Sequence, residues 1–220
     1  MDYTYNIRDW LTAINNPNSL GSDHFGMTLG YTSGDEPAYN GNISEMSWKT
    51  GSFNLCEYQF DYDGTNRLTE AAFSGTGQHN TSYSYDKNGN ILSLSREGQL
   101  GGGQEFGAID SLTYNYNGNQ LNYVNDIDED PYQANGFKEE TRLTTAEYTY
   151  DANGNMISDL NKNLTITRYN YLNLPEQIQI AMDGLNHINY LYSASGTKLA
   201  RQTVEEGTPD EEITTDYIGS

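Results

Sequence analysis

The chain has 220 residues, enough for one large β domain or two small ones, with 19 Tyr and 22 Gly against 11 Lys plus Arg. Its formal charge of -20 repels phosphate backbones and anionic lipid surfaces, which argues against nucleic acid as a partner and favours solubility. A lone Cys56 excludes an internal disulfide framework, and no stretch reaches the roughly 20 apolar residues of a membrane span, which argues against insertion in a membrane.

Met1 runs directly into Tyr3-Thr4-Tyr5-Asn6, with no signal peptide, so the chain reads as starting inside a repeat. Tyrosines then recur at i and i+2: Tyr83/Tyr85, Tyr114/Tyr116, Tyr148/Tyr150, Tyr169/Tyr171 and Tyr190/Tyr192, with Tyr58 to Tyr62 as a longer form. Side chains alternate faces along a strand, so each pair is expected to place both rings on one side of a sheet. The second rings, at 62, 85, 116, 150, 171 and 192, are separated by 23, 31, 34, 21 and 21 residues. The basic unit is therefore about 21 residues, and the long steps carry inserts of loop composition near 98–107 and 126–142.

After each pair comes an acidic or amide residue and then a glycine, as in Asp86-Lys87-Asn88-Gly89-Asn90 and Asp151-Ala152-Asn153-Gly154-Asn155, in the shorter Asn117-Gly118-Asn119 and in Ser193 to Thr197 around Gly196. Such residues supply the positive φ of tight turns, and an alternating segment follows each one, so the unit reads as a β-hairpin. Two buried rings cannot offset the conformational entropy of some twenty ordered residues, so hairpins must share faces with neighbours in a continuous sheet. Helical patterning is weak, its best candidate being Phe137 to Glu147. The predicted class is all-β: repeated antiparallel hairpins in a single array over 1–220, divergent over 1–57 and clearer over 58–220.

The motif YxYDxxGN, complete at Tyr83 to Asn90 and Tyr148 to Asn155, resembles that of the YD-repeat or Rhs proteins, and the resemblance covers nearly the whole chain. YTYNIRDWLTAI, FGMTLGY and YNGNISEMSWKT in the first third are similar to Rhs-type proteins of the Bacteroidota. The resemblance implies a spiralling sheet that forms part of a β-shell, in a secreted or surface-exposed parent that encloses or presents a C-terminal polymorphic toxin used between competing bacteria. It implies partners in the rest of the parent chain and its toxin. The family's Asp-Pro-x-Gly-Leu core motif is not matched, since Asp130-Pro131 leads into Tyr132-Gln133-Ala134, so the chain reads as a repeat-region fragment.

Candidate chemistry is sparse. Asp86 with Asn90, and Asp151 with Asn155, offer oxygens but are expected to spend them on turns; Asp126, Asp128 and Asp130 are the least unlikely ion site, although an EF-hand would need Gly at 131 and Glu at 137. His24, His79 and His187 lack metal-ligand spacing, and no nucleophile signature is present, so no cofactor and no enzyme activity are expected. The alternative is an adhesion or carbohydrate-binding module with exposed tyrosine rows; regular ring spacing favours cross-strand ladders that hold a sheet together. The structural role is assigned to the Tyr pairs and to Gly89, Gly118, Gly154 and Gly196.

An array cut at both ends exposes unpaired strand edges. The expected outcome is concentration-dependent self-association that increases with salt as the charge is screened; a monodisperse monomer at high concentration and high salt in sedimentation velocity would count against it.

Overall fold

In the computed structural model the described residues are 1–101, 103–127, 135–139, 146–180, 186–205 and 211–217. Among them there is strand but no helix. The ends of the helical candidate, 137–139 and 146–147, are not helical, and its middle lies outside the described residues.

Consecutive strands pair in chain order. One sheet contains β1 (Tyr3–Tyr5), β2 (Leu11–Ile14), β3 (Phe25–Gly30), β4 (Glu45–Thr50), β5 (Cys56–Tyr62), β6 (Leu68–Ser74), β7 (Thr81–Tyr85), β8 (Ile91–Gln99), β9 (Phe106–Asn117) and β10 (Gln120–Asp126). The other contains β11 (Tyr148–Tyr150), β12 (Met156–Asp159), β13 (Leu164–Tyr169), β14 (Pro175–Ile180), β15 (Asn186–Tyr192), β16 (Lys198–Glu205) and β17 (Glu211–Asp216). The described registers are all antiparallel, as between β7 and β8 and between β15 and β16. By contacts the chain forms two compact units: residues 1–113 with 126–137, and residues 114–125 with 138–220.

The insert near 98–107 was expected to be loop. Instead it lengthens a hairpin arm: Gly98 pairs with Gly107 and Gln99 with Phe106. A Cβ at Gly98 would lie 2.7 Å from Ile109 Cδ1, so any larger residue there would oblige the tip of that buried side chain to shift. The second insert's described part folds back onto the first. Phe137 N–H and the Arg96 guanidinium both bond the buried Asp110 carboxylate, and the Asn135 amide donates to the Gln99 carbonyl at 2.9 Å.

Among the described residues few apolar side chains are buried: Pro17, Ala71, Ile109 and Leu112 in the first unit, Val124 and Ile166 in the second. With so little sandwiched core, the hairpins must be held side by side by something other than a second layer. In β7 the rings of Tyr83 and Tyr85 stack at 6.2 Å with an interplanar angle of 18°, while Ser84, on the opposite face, bonds Ser93 at 2.5 Å. In β11, Thr149 likewise bonds Ser158 at 2.5 Å.

Six hairpins share a feature that spacing did not reveal. Register shifts by one residue between the residue preceding the second ring and the ring itself: Ser84 faces Ser93, yet Tyr85 faces Ile91, leaving Leu92 unpaired. The same step occurs at Tyr5, Tyr62, Tyr150, Tyr169 and Tyr192. An extra residue on one strand bends it and increases its twist, so each of these six hairpins carries its own local bend, whereas β3 and β4 pair without one.

Four of the second rings, and Tyr31 just after β3, also reach sideways. Tyr85 OH donates to the Leu68 carbonyl at 2.7 Å, Tyr62 OH to Ile43 at 2.8 Å, Tyr31 OH to Leu11 at 2.9 Å, Tyr150 OH to Leu121 at 3.0 Å and Tyr169 OH to Met156 at 2.5 Å. The carbonyls of Leu68, Leu11, Leu121 and Met156 belong to the return strand of the preceding hairpin, at or beside its first residue, and Ile43 lies two residues before β4. Tyr85→Phe should lower stability by about 1 kcal/mol in urea unfolding, the net worth of one such hydrogen bond, whereas Tyr83→Phe, which keeps the stacked ring, should change it little.

Candidate functional site

The recurrent joint between strands is the feature that the sequence repeats most faithfully, and its geometry can be built atom by atom. Six five-residue turns share it: Asn6–Trp10, Asp63–Arg67, Asp86–Asn90, Asp151–Asn155, Asn170–Leu174 and Ser193–Thr197. In each, the first residue's N–H donates to the fifth residue's carbonyl at 2.8–3.0 Å, and the fourth residue's N–H donates back to the first carbonyl. The fourth residue is left-handed, with φ between 57° and 94° at Asp9, Asn66, Gly89, Gly154, Asn173 and Gly196. A side chain with a short polar arm tolerates that region, which is why Asn and Asp can replace Gly there.

The first residue's side chain completes the turn. Asp86 Oδ1 accepts N–H bonds from Asn88 and Asn90, each at 2.8 Å, and Oδ2 accepts the Asn90 side-chain amide at 2.8 Å. Asp151 does the same with Asn153 and Asn155 at 2.8–2.9 Å. Both oxygens of each carboxylate therefore face N–H donors, an arrangement for closing a turn rather than for coordinating a cation. Asp63 holds Thr65 in the same way and adds an ion pair to Arg67 at 2.6 Å.

Arg67 then links one turn to the next. Its guanidinium lies 4.6 Å over the Tyr85 ring and donates to the Asp86 carbonyl at 2.7 Å. Elsewhere the left-handed residue makes the link: Asn173 Oδ1 accepts the Asn155 amide at 3.0 Å, and Asn66 Oδ1 accepts the Asn40 amide. Asn66 closes the variant motif that starts at Tyr58, whereas Arg67 and Asn173 lie outside the motif as the sequence shows it, although a turn pattern allowing Asn at the fourth position finds Asn173 as well.

The sequence-predicted residues fall as follows. Tyr83, Tyr85, Tyr148, Tyr150, Tyr190 and Tyr192 lie in strands, and the last pair has its centroids 6.2 Å apart, with the Lys198 ammonium 4.1 Å from the Tyr190 ring. Tyr114 and Tyr116 lie in β9, and Gly118 has φ 65° in the short turn to β10. Tyr171 is a correction: it is not a strand partner of Tyr169 but sits in the Asn170–Leu174 turn, 76% exposed, with its hydroxyl on the Ala194 carbonyl. The strand ends at Tyr169 because Asn170 already starts the turn. With Tyr169 as the second ring, the steps on either side of it become 19 and 23.

Asn88 and Asn153 do not carry the positive φ expected of an Asn-Gly pair; only the glycine does. Asp126 Oδ1 accepts the Ser111 N–H at 3.0 Å, and Asp128 and Asp130 lie outside the described residues. Trp10 closes the first turn and packs on Tyr31 at 5.0 Å, and Trp48 stacks on Tyr58 at 5.6 Å. His79 is held edge-on between Phe73 and Phe106.

Burial pushes the phenols of Tyr62, Tyr85, Tyr150, Tyr169 and Tyr192 up from their ordinary value. The turn carboxyls move the other way. The side-chain bond from Thr65 lowers Asp63, that from Asn90 lowers Asp86 and that from Asn155 lowers Asp151.

The sequence matches the family model described as Teneurin YD-shell over residues 36–208. No curated protein matches it. Among solved structures it is similar to TcdB2-TccC3-TEV, with a TM-score of 0.61 at 14% identity, covering all of this chain and 12% of that one. It is likewise similar to TcdB2-TccC3-Cdc42, at TM-score 0.60 and 14% identity, covering 98% of this chain and 12% of that one. A TcdB2-TccC3 structure without its hypervariable C-terminal region gives TM-score 0.64 at 13% identity over the same shares. The chain thus spans about an eighth of the length of these neighbours.

Because the three turn carboxyls are depressed, their contribution to stability is complete above the unfolded value, ordinarily 3.8, and is lost as pH falls through the lower folded values. Unfolding midpoints should be flat above about pH 5 and fall in acid below the ordinary carboxyl range. Replacing Asp63, Asp86 and Asp151 together by Asn should retain the fold, since Asn6 and Asn170 already close such turns, and should flatten the acid limb in pH-dependent thermal melts.

Proposed function

The chain belongs to the teneurin YD-shell family, and from that premise we propose that it is a noncatalytic wall segment of a larger shell that encloses or presents a C-terminal toxin. The observation that carries this reading is the uniform joint of turn, bulge and tyrosine. Where it is complete, at Tyr62, Tyr85, Tyr150 and Tyr169, it makes a hairpin a unit that bends locally and fastens to its predecessor, which suits a wall.

The finer reading is an Rhs-type parent, secreted or displayed at the cell surface and used in competition between bacteria. The motifs of the first third and the acidic charge support it. The wall would act sterically, keeping a passenger from proteases and from the producing cell. The tyrosine hydroxyls are directed at backbone carbonyls, so the rows serve the sheet before any glycan.

The test begins with the reading frame on both sides of the chain and proceeds to limited proteolysis of the full-length product. A downstream effector segment that resists protease in the intact protein, and becomes sensitive when Gly154→Val strains a wall turn, is the expected result. Flanking adhesion domains, or a downstream segment equally sensitive with and without the substitution, would overturn the reading. Binding on a glycan array that is lost on changing exposed tyrosines, with folding intact, would replace it with the adhesion module.

A further inference from the structure

The second unit contains a buried polar group that the wall does not require. Glu147 is 0% exposed, directly before the first ring of β11. Its Oε2 is well satisfied, accepting the Val124 N–H at 3.1 Å and the Asn161 side-chain amide at 2.8 Å. Its Oε1 is buried and has no hydrogen-bond partner. Asn161 is 6% exposed, and its Oδ1 is buried without a partner as well. The two orphan oxygens belong to groups joined by one hydrogen bond, so both remain on the same small patch of interior.

Two more oxygen-bearing side chains, the buried Asp159 and the half-buried Tyr148, belong to the same strand pair. Asp159 lies opposite Tyr148 in the β11–β12 register and is 3% exposed. The Tyr148 hydroxyl is 3.4 Å from the Asn161 amide nitrogen, and burial pushes its phenol up, with the charges of Asp159 and Glu147 acting in the same direction. Positive charge nearby is slight: Lys162 stands 3.8 Å from Asp159, but its side chain is 69% exposed. No described ion pair neutralises Glu147.

A buried carboxylate with one bare oxygen, beside a buried amide oxygen equally bare, is a costly arrangement unless something donates to both. We propose that Glu147 Oε1 and Asn161 Oδ1, with the buried Asp159 carboxylate of the same strand pair as a further candidate ligand, form a site for a hard divalent cation of the calcium type. A cation answers both lone-pair deficits and the uncompensated charge in one step, and every candidate ligand is oxygen. Among the described residues no three His, Cys, Asp or Glu side chains converge, so the site has at most two carboxylates and takes its other ligands from the Asn161 amide and neighbouring oxygens, a set without the nitrogen or sulfur that zinc and copper favour. Magnesium, which keeps its waters, is disfavoured where the protein leaves little room for them. The site differs from the turn aspartates, whose oxygens already face N–H groups, and from the Asp126 cluster. By tying Glu147 to the neighbourhood of Asn122 and Val124 on one side and Asn161 on the other, the ion would fasten β10 to the β12–β13 turn.

The test uses the whole chain stripped with chelator, melted in CaCl2, in MgCl2 and in NaCl at matched ionic strength. Calcium at about a hundred times its dissociation constant should raise Tm by on the order of 5 °C, with magnesium and sodium well short of that. Glu147→Gln and Asn161→Leu should each lose the calcium-specific part. Because either change can lower stability by itself, terbium luminescence sensitised by tyrosine, read far below the melting range, serves as a second measurement. It should saturate in the wild type and fall in Glu147→Gln and in Tyr148→Phe, which removes the nearest sensitising phenol. Equal shifts in all three salts, an unchanged calcium shift in the two variants, or terbium emission indifferent to them would overturn the site. A Glu147→Gln protein more stable than the wild type, whose wild-type parent ignores calcium, would show that the pair is satisfied without an ion and would overturn it too. None of these outcomes depends on what the wall encloses.

Discussion

A hydroxyl at the end of a rigid ring, reaching back to the first carbonyls of the previous hairpin's return strand, is the contact on which the rest of the wall depends. A meander with so few fully buried apolar side chains cannot rely on a second layer, and backbone ladders alone leave a sheet free to slip in register. The tyrosine ties each hairpin to a fixed place on its neighbour. The bulge supplies what the tie needs, since displacing register at the second ring turns that ring toward the joint. The turn then fixes the bulge by closing a five-residue loop around one side-chain oxygen, as Asp86 does with Asn88 and Asn90. Ring, bulge and turn form one device.

Electrostatics follow from that device. The chain carries far more acidic than basic residues, yet the turn aspartates are among its most fully employed acids, each held by donors of its own loop. The few cations are placed where they serve twice. Arg67 meets Asp63, the Tyr85 ring and the Asp86 carbonyl together, so one guanidinium joins two turns and shields a ring. Arg96 plays a comparable part in the first unit, where it meets Asp110 beneath the two inserts.

Much of this was legible in the sequence. Tyr at i and i+2 placed rings on one face, and Asp-x-x-Gly-Asn placed the turns, because both depend on local geometry with short periods. The bulge was not legible, since Leu92 looks like any other strand residue and its displacement is set by pairing with β7. Tyr171 misled because a second tyrosine two positions on resembles a pair, while Asn170, the real start of the turn, carries the amide rather than the acid form of the motif. Gly98 was read as a loop residue; its reason is the close approach of Ile109 across the hairpin. Glu147 gave no signal, because a glutamate before a tyrosine strand reads as solvated charge, and only the fold places Val124 and Asn161 against it.

The hairpin turns with their bulges all fall at one end of the strands, and the connections at the opposite end vary: a few residues after β12, a lengthened arm between β8 and β9, and a long excursion after β10. The six bulged turns keep one length, whereas at the same end of the strands β3 and β4 are joined by residues 31–44 and β9 and β10 by two residues, so constancy belongs to the bulged turn and not to a whole end. A hairpin that carries the bulged turn can be added in series without redesign of its neighbours, and the connections that lack it are where length can change.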